Sequence, residues 1–221
     1  MTTEGDSSQL QVLEGAASEM HGAQAALPMV ALARRARLAS RTLAQSSSSD
    51  RDRALWAAAA ALRTSSAAIL EANAQDLAVS QAKDSFRDRL TLTPERVEAM
   101  ARGLEDIADL PDPVGQVRDE WTRPNGLRIR RVSTPVGVIG VIYESRPNVG
   151  ADAAGLCIKS GNAVLLRGGS ESLHSARAIH AAMQEGLRAA GLPEDAVLIA
   201  PDADRRHVAD MLGAAGLVDL I

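Results

Sequence analysis

Aromatic residues are almost missing from this chain: one Phe, one Tyr and two Trp make up 2% of its 221 residues. The core therefore has to come from Ala, Leu, Val and Ile, which points to a helix-rich body packed on alanine. With no aromatic platforms between its basic residues and a formal net charge of -4, the sequence lacks the footprint of a nucleic-acid or anionic-membrane surface. A small-molecule partner is expected instead. The single cysteine, Cys157, excludes an internal disulfide framework and a multi-cysteine metal site, and fits a reducing, cytoplasmic compartment. No apolar run approaches the roughly 18 residues of a membrane span. The acidic start MTTEGDSSQL has neither the basic nor the continuous apolar region of a secretory signal. His21, His174, His180 and His207 are not spaced as metal ligands, so no metal is expected and they read as helix-surface residues. Serine-hydrolase elbow, P-loop and GxGxxG motifs are all missing.

What is present divides the chain by pattern. Residues 1–28 are rich in Ser, Gly, Ala and Glu and read as a flexible arm. Residues 29–115 read as helical. Leu55, Ala58, Ala59 and Leu62 fall at i, i+3, i+4, i+7 behind Asp50, taken as the N-cap; Val97, Met100, Ala101 and Leu104 repeat the spacing after Thr93-Pro94. Residues 116–134 read as a β-hairpin ribbon around Pro124-Asn125-Gly126, whose Asn-Gly pair supplies the positive φ of a tight turn. From residue 135 to 221 strands alternate with helices: VGVIGVIY, NAVLL, AVLIA and a final run, residues 217–221, that reads as a buried strand. The expected fold class is α/β, with N-terminal helices followed by an incomplete Rossmann-type parallel sheet whose ligands sit at the C-terminal strand ends.

Two turns stand at those ends. After the first strand come Tyr143, Glu144, Ser145, Arg146, Pro147 and Asn148. Arg146 suits an anionic substrate group and Asn148 is an amide donor for a developing oxyanion; the alternative for each is a helix cap or a surface position. After the second strand stand Arg167, Gly168, Gly169, Ser170 and Glu171. In dinucleotide folds this region meets the adenosine ribose, where arginine accommodates the 2′-phosphate of NADP. The glycines are expected to permit close backbone approach and unusual φ, and Ser170 to cap the next helix, though such a pair also occurs in ordinary loops. Cys157 lies toward the C-terminal end of a short helix, where the dipole disfavours a thiolate, and reads as a small buried hydrophobe.

Taken together, DPVG, WTRPNGLRIRRVSTPVGVIGVIYESRPNV, DAAGLCIKSGNAVLLRGGSESLHS and AGLPEDAVLIAPDADRR resemble the γ-glutamyl phosphate reductase (glutamate-5-semialdehyde dehydrogenase) family of aldehyde-dehydrogenase-like proteins, as do ILEANAQDL and DRLTLTPERVEAMARGLEDIADL upstream. The resemblance implies an aldehyde-dehydrogenase-like fold, a ribbon for homo-oligomer contact, an NADP-binding domain over residues 135–221, and a separate catalytic domain. It implies NADPH-dependent reduction of L-glutamyl 5-phosphate to L-glutamate 5-semialdehyde with release of phosphate, the second step of proline synthesis from glutamate. There a cysteine thiolate displaces phosphate and hydride resolves the thioester. Arg167, Gly168, Gly169, Ser170 and Glu171 then look like the adenosine-side cofactor segment. Tyr143, Glu144, Arg146 and Asn148 look like the substrate turn, with Asn148 resembling the oxyanion asparagine. The family continues into a Pro-Arg-Gly-Gly turn and a later nucleophilic cysteine, neither of which occurs here. The expectation is a C-terminally truncated reductase without its catalytic domain. A non-catalytic nucleotide-binding or oligomer-interaction fragment, and an aldehyde dehydrogenase of other substrate, are the alternatives.

Overall fold

The computed structural model describes residues 28–80 and 83–221, so the arm expected over residues 1–28, and His21 within it, lies almost wholly outside the described residues. Helix α1 spans Pro28–Gln45 and buries Met29, Ala33, Ala36, Ala39 and Leu43, a stripe three to four residues apart. Helix α2, Ser48–Thr64, buries the expected Leu55, Ala58, Ala59 and Leu62. Its N-cap is Ser47, however, not Asp50. Asp50 sits three residues into the helix and returns a hydrogen bond to the Ser47 backbone, closing a capping box. The acidic residue was the more visible capper, yet Ser47 supplies the oxygen at the right place.

Helices α3 (Ser66–Val79), α4 (Asp84–Leu90) and α5 (Pro94–Asp109) complete the helical part. Thr93 caps α5 through its side chain with Pro94 at the first turn, and Val97, Met100, Ala101 and Leu104 are buried, as their spacing predicts. The antiparallel ribbon of β1 (Val117–Thr122) and β2 (Arg128–Val132) follows, exposed on nearly all of its length. Its turn differs from the expectation at one residue. Within the turn only Gly126 has positive φ, 84°, while Gly126 N–H donates to the Arg123 carbonyl and Arg123 N–H to the Leu127 carbonyl. That is a three-residue loop with a glycine bulge, which leaves Asn125 in an ordinary conformation and its side chain free to accept from Leu127 N–H.

Strands β3 (Val138–Ile142), β4 (Ala163–Arg167) and β5 (Val197–Ile199) form a parallel sheet in the order β3-β4-β5. Helix α6 (Pro147–Lys159) connects β3 to β4, and α7 (Leu173–Ala189), after a short 3-10 turn, connects β4 to β5; α8 spans Arg206–Gly213. The apolar continuity of VLL reflects burial on both faces. Aromatic scarcity shows in the packing: α7 crosses α2 where a Cβ on Gly186 would lie 2.5 Å from the Ala54 carbonyl oxygen and from Ala58. Gly155 of α6 similarly receives Leu104 and Ile107.

The final run is not a buried strand. Its bridge to the sheet is parallel, Ile139 to Leu220, on the edge of β3 opposite β4, and Val218 bridges back to Ala215, with Leu220 53% and Ile221 48% exposed. Backbone bonds from Gly140 to Leu220 and from Asp219 to Val138 hold it there, and Asp219 also accepts from Arg37. Bonded on one side only, its hydrophobic residues keep one face open. The first strand of the sheet thus lies between β4 and the 218–220 segment, the arrangement at which doubly wound folds bind ligands.

Candidate functional site

The turn after β3 bends at Ser145, where Arg146 N–H donates to the Glu144 carbonyl at 2.7 Å, and Arg146 (φ -114, ψ 102) then N-caps α6 ahead of Pro147. Ser145 is buried at 3% exposure, whereas Glu144, Arg146 and Asn148 are exposed. The four residues expected to meet substrate divide between two clefts. Tyr143 and Glu144 line one, together with Arg167, Gly169, Ser170 and Glu171, in a cleft of about 470 Å³. Arg146 and Asn148 line another, of about 460 Å³, with Arg89, Arg96 and Asp152.

The first cleft brings together four of the five residues expected on the adenosine side; the fifth, Gly168, does not line it. Arg167 donates through Nη2 to the Ala203 carbonyl at 2.7 Å, and its Nε is buried without an acceptor. Ser145 Oγ donates to Glu171 at 2.5 Å, and that bond holds the Glu171 carboxyl below the usual range. The expected role of the glycines needs correction: neither Gly168 nor Gly169 has positive φ. They are small because of neighbours. A Cβ at Gly168 would stand 3.0 Å from the Tyr143 ring, and one at Gly169 would collide with Ser145 Oγ. Tyr143 is mostly packed beneath this segment, and burial pushes its phenol up to about 12.

Ser170 does not cap the following helix; it begins the 3-10 turn and makes no cap bond. The cap comes from across the fold. Asp76 of α3, 1% exposed, accepts from His174 N–H at 3.0 Å, Ser175 N–H at 2.8 Å and Ser175 Oγ at 2.6 Å. Beside it Asn73 donates to the Leu90 carbonyl and Ser175 Oγ and accepts from Leu92 N–H. Sequence reasoning passed over both. Their signal was present: Ile69, Asn73 and Asp76 lie at i, i+4, i+7, so two polar residues occupy a buried stripe.

In the second cleft Arg96 is spent on Asp88 Oδ1, the Asp88 carbonyl and the Thr91 carbonyl. Arg89 and Arg146 make no side-chain hydrogen bond or ion pair among the described residues. Asn148 Nδ2 donates to Asp152 at 3.1 Å, and burial nonetheless raises the Asp152 carboxyl. The cleft presents two unpaired guanidinium groups and one oriented amide, a set suited to an anion attached to a carbonyl.

Cys157 sits 6% exposed in the last turns of α6, and burial pushes its thiol up to about 12. It is not a thiolate at neutral pH. Lys159, beside it in sequence, is buried and bonded to Asp52 at 2.6 Å and to the Ala108 carbonyl at 2.7 Å. His174 is exposed, but His207 is not the surface residue it was expected to be: it is fully buried, with Nε2 2.7 Å from Asp202 Oδ1. His180 is half-buried against the Val197 carbonyl. Among the described residues no helix is long and apolar enough to cross a membrane.

The model of the aldehyde dehydrogenase family matches residues 13–221. The γ-glutamyl phosphate reductase of Gluconobacter oxydans is 68% identical over 192 residues, which cover 86% of this chain and 45% of that protein. The crystal structure of the Thermotoga maritima γ-glutamyl phosphate reductase is 39% identical and superposes with a TM-score of 0.82 over 84% of this chain and 46% of that one. The Saccharomyces cerevisiae γ-glutamyl phosphate reductase is 36% identical with a TM-score of 0.75, covering 80% of this chain and 46% of that one. The chain thus spans somewhat less than half the length of these relatives. Its helices, parallel sheet and matched span make it a member of the aldehyde dehydrogenase family.

Proposed function

We propose that this chain is the cofactor and substrate-turn portion of a γ-glutamyl phosphate reductase, which reduces L-glutamyl 5-phosphate to L-glutamate 5-semialdehyde with NADPH and releases phosphate, in proline synthesis. The observation that carries this reading is Arg167, whose guanidinium lines the cleft beside Gly169 and Glu171 with Nε buried and unpaired. An arginine at the end of the second strand fits the 2′-phosphate of NADP. When bound there, NADPH supplies the hydride. The chain's own residues bind and orient. Arg146 attracts the anionic end of the substrate, and Asn148, its amide held toward Asp152, donates its second N–H to the carbonyl oxygen as charge develops. Residues 135–221 form the NADP-binding unit and the exposed ribbon, with Trp121 41% and Leu127 57% exposed, joins copies of the chain in a cytoplasmic homo-oligomer.

The reaction also needs a thiolate, and Cys157, the one cysteine of these 221 residues, does not supply it. That favours a second reading for the chain in isolation: a nucleotide-binding module without turnover. Titration calorimetry of the chain with NADP+ and NAD+ tests the cofactor assignment, with NADP+ expected to bind at least tenfold tighter. Equal affinities, or no binding of either, refutes it. A rate of NADPH oxidation by the chain alone with glutamyl phosphate would overturn the exclusion of Cys157.

A further inference from the structure

Resting on the nucleotide reading of the first cleft, we infer that Arg205 is a second cationic contact for the 2′-phosphate and a determinant of NADP(H) over NAD(H). Arg205 and Arg206 are consecutive, but the fold uses them differently. Arg206 lies within 3.8 Å of Asp202 and 3.5 Å of Asp204, so its charge is answered within its own loop. The Arg205 side chain has no carboxylate or hydrogen-bond partner among the described residues, and Arg205 lines the cleft that holds Arg167, Gly169, Ser170 and Glu171. Glu144 and Glu171, the carboxylates that line the same cleft, form no ion pair with Arg205, and Glu171 accepts from Ser145.

The loop that carries Arg205 is fixed from four directions. Arg167 Nη2 holds the Ala203 carbonyl at 2.7 Å, Asp202 Oδ1 accepts from Asp204 N–H at 2.9 Å, Asp204 Oδ1 accepts from Arg206 N–H at 2.8 Å, and buried His207 contacts Asp202 at 2.7 Å. The loop's backbone is thereby set, with Arg205 at the start of α8. Arg167 thus does two things: it lines the cleft, and it anchors the loop that presents the other guanidinium. Two arginines on facing segments, one spent partly on the backbone and one unspent, form a pair of donors for a phosphate dianion. An unphosphorylated ribose gives the second arginine nothing to bind.

Adenosine 2′,5′-bisphosphate and 5′-AMP separate this contact from the rest of the nucleotide. Titrated into the 221-residue chain, the bisphosphate is expected to lose roughly 10- to 100-fold in affinity with Arg205→Gln, the worth of a charge-assisted contact. Binding of 5′-AMP stays within about twofold, Arg206→Gln changes neither, and Arg205→Lys retains part of the preference. Unchanged bisphosphate affinity in Arg205→Gln overturns the inference and leaves the cleft reading standing. An equal loss for both ligands also overturns it, since the residue would then serve the loop and not the 2′-phosphate. Failure of the unmodified chain to bind either ligand removes the nucleotide reading, and the inference with it.

Discussion

Replacing Asp76 separates two ways of building a helix N-terminus. Its carboxylate accepts three hydrogen bonds from α7 at 2.6 to 3.0 Å with only 1% of the residue exposed. In Asp76→Ala the two amides and the Ser175 hydroxyl lose their acceptor in a place water does not reach. Each buried donor left unmade costs about 1–3 kcal/mol, but the three share one group and are not additive, so the expected loss is about 3–5 kcal/mol. Asp76→Asn keeps one oxygen and is expected to lose about 1–2 kcal/mol. For a chain of this size each kcal/mol moves Tm by about 2–4 °C, which puts the alanine variant roughly 6–20 °C lower. Urea denaturation followed by far-UV circular dichroism reads the loss directly; Glu185→Ala, which removes half of an exposed pair with Arg188, is the control and should leave the midpoint unchanged. The Arg167-to-Ser172 segment runs straight into α7, so nucleotide affinity should fall along with stability. An Asp76→Ala midpoint within about 1 kcal/mol of the unmodified chain would refute the account, because it would mean that the α7 N-terminus finds other acceptors.

Two further predictions concern the buried groups. Cys157 keeps its proton up to about pH 12 when folded, against about 8.5 for a free thiol. At pH 8 its thiolate fraction is therefore roughly 10³-fold lower than in the unfolded chain, and iodoacetamide should label it only under denaturing conditions. The raised value also fixes the sign of the linkage: any stability from keeping the thiol neutral is full below about 8.5 and is lost as pH rises toward 12. Rapid stoichiometric labelling of the native chain would show the burial to be wrong. Gly169→Ala is expected to cost about 1–3 kcal/mol and to weaken nucleotide binding by driving Ser145 off Glu171. Ser145→Ala should relieve only part of that, because the Ser145 backbone nitrogen still stands 3.0 Å from the new methyl group. A double-mutant cycle measures the coupling, and zero coupling would sever the proposed contact.

The parts of this fold legible in sequence are those decided locally. VGVIGVIY and NAVLL announce buried parallel strands by unbroken apolar character, Thr93-Pro94 announces a helix start, and Pro124-Asn125-Gly126 a turn. Local competition already blurs Ser47 against Asp50, since both are good capping residues three positions apart. What stayed hidden is decided at long range. Asp76 caps a helix 98 and 99 residues away, and His207 is buried because the Asp202 loop folds over it. Glycines 168 and 169 were legible as a close approach, and the neighbours that approach within the fold are Tyr143 and Ser145. The turn residues 143–148 were read as one site, and the bend at Ser145 with the helix start at Pro147 divides them between two clefts.

Under the proposed nucleotide reading, those same contacts bear on how a phosphate is held without GxGxxG. The usual dinucleotide fold turns a helix N-terminus, with free amides and a positive dipole, toward phosphate. Here the first helix of the parallel unit opens with Pro147, which has no N–H. In the second, the amides of His174 and Ser175 are already given to Asp76, a carboxylate that also answers the dipole. Both helix ends offer fewer free amides than the usual N-terminus, so under the proposed reading recognition of phosphate at this edge falls chiefly to side chains, Arg167 first among them. Point charges on exposed arginines are screened by salt in a way that buried amides are not: raising ionic strength from about 0.1 to 1 M shortens the screening length from about 10 to 3 Å. Affinity for adenosine 2′,5′-bisphosphate should therefore fall steeply over that range while that for adenosine itself stays nearly flat. A bisphosphate affinity indifferent to salt would mean that backbone amides hold the phosphate after all, and that the Asp76 cap opens to release them.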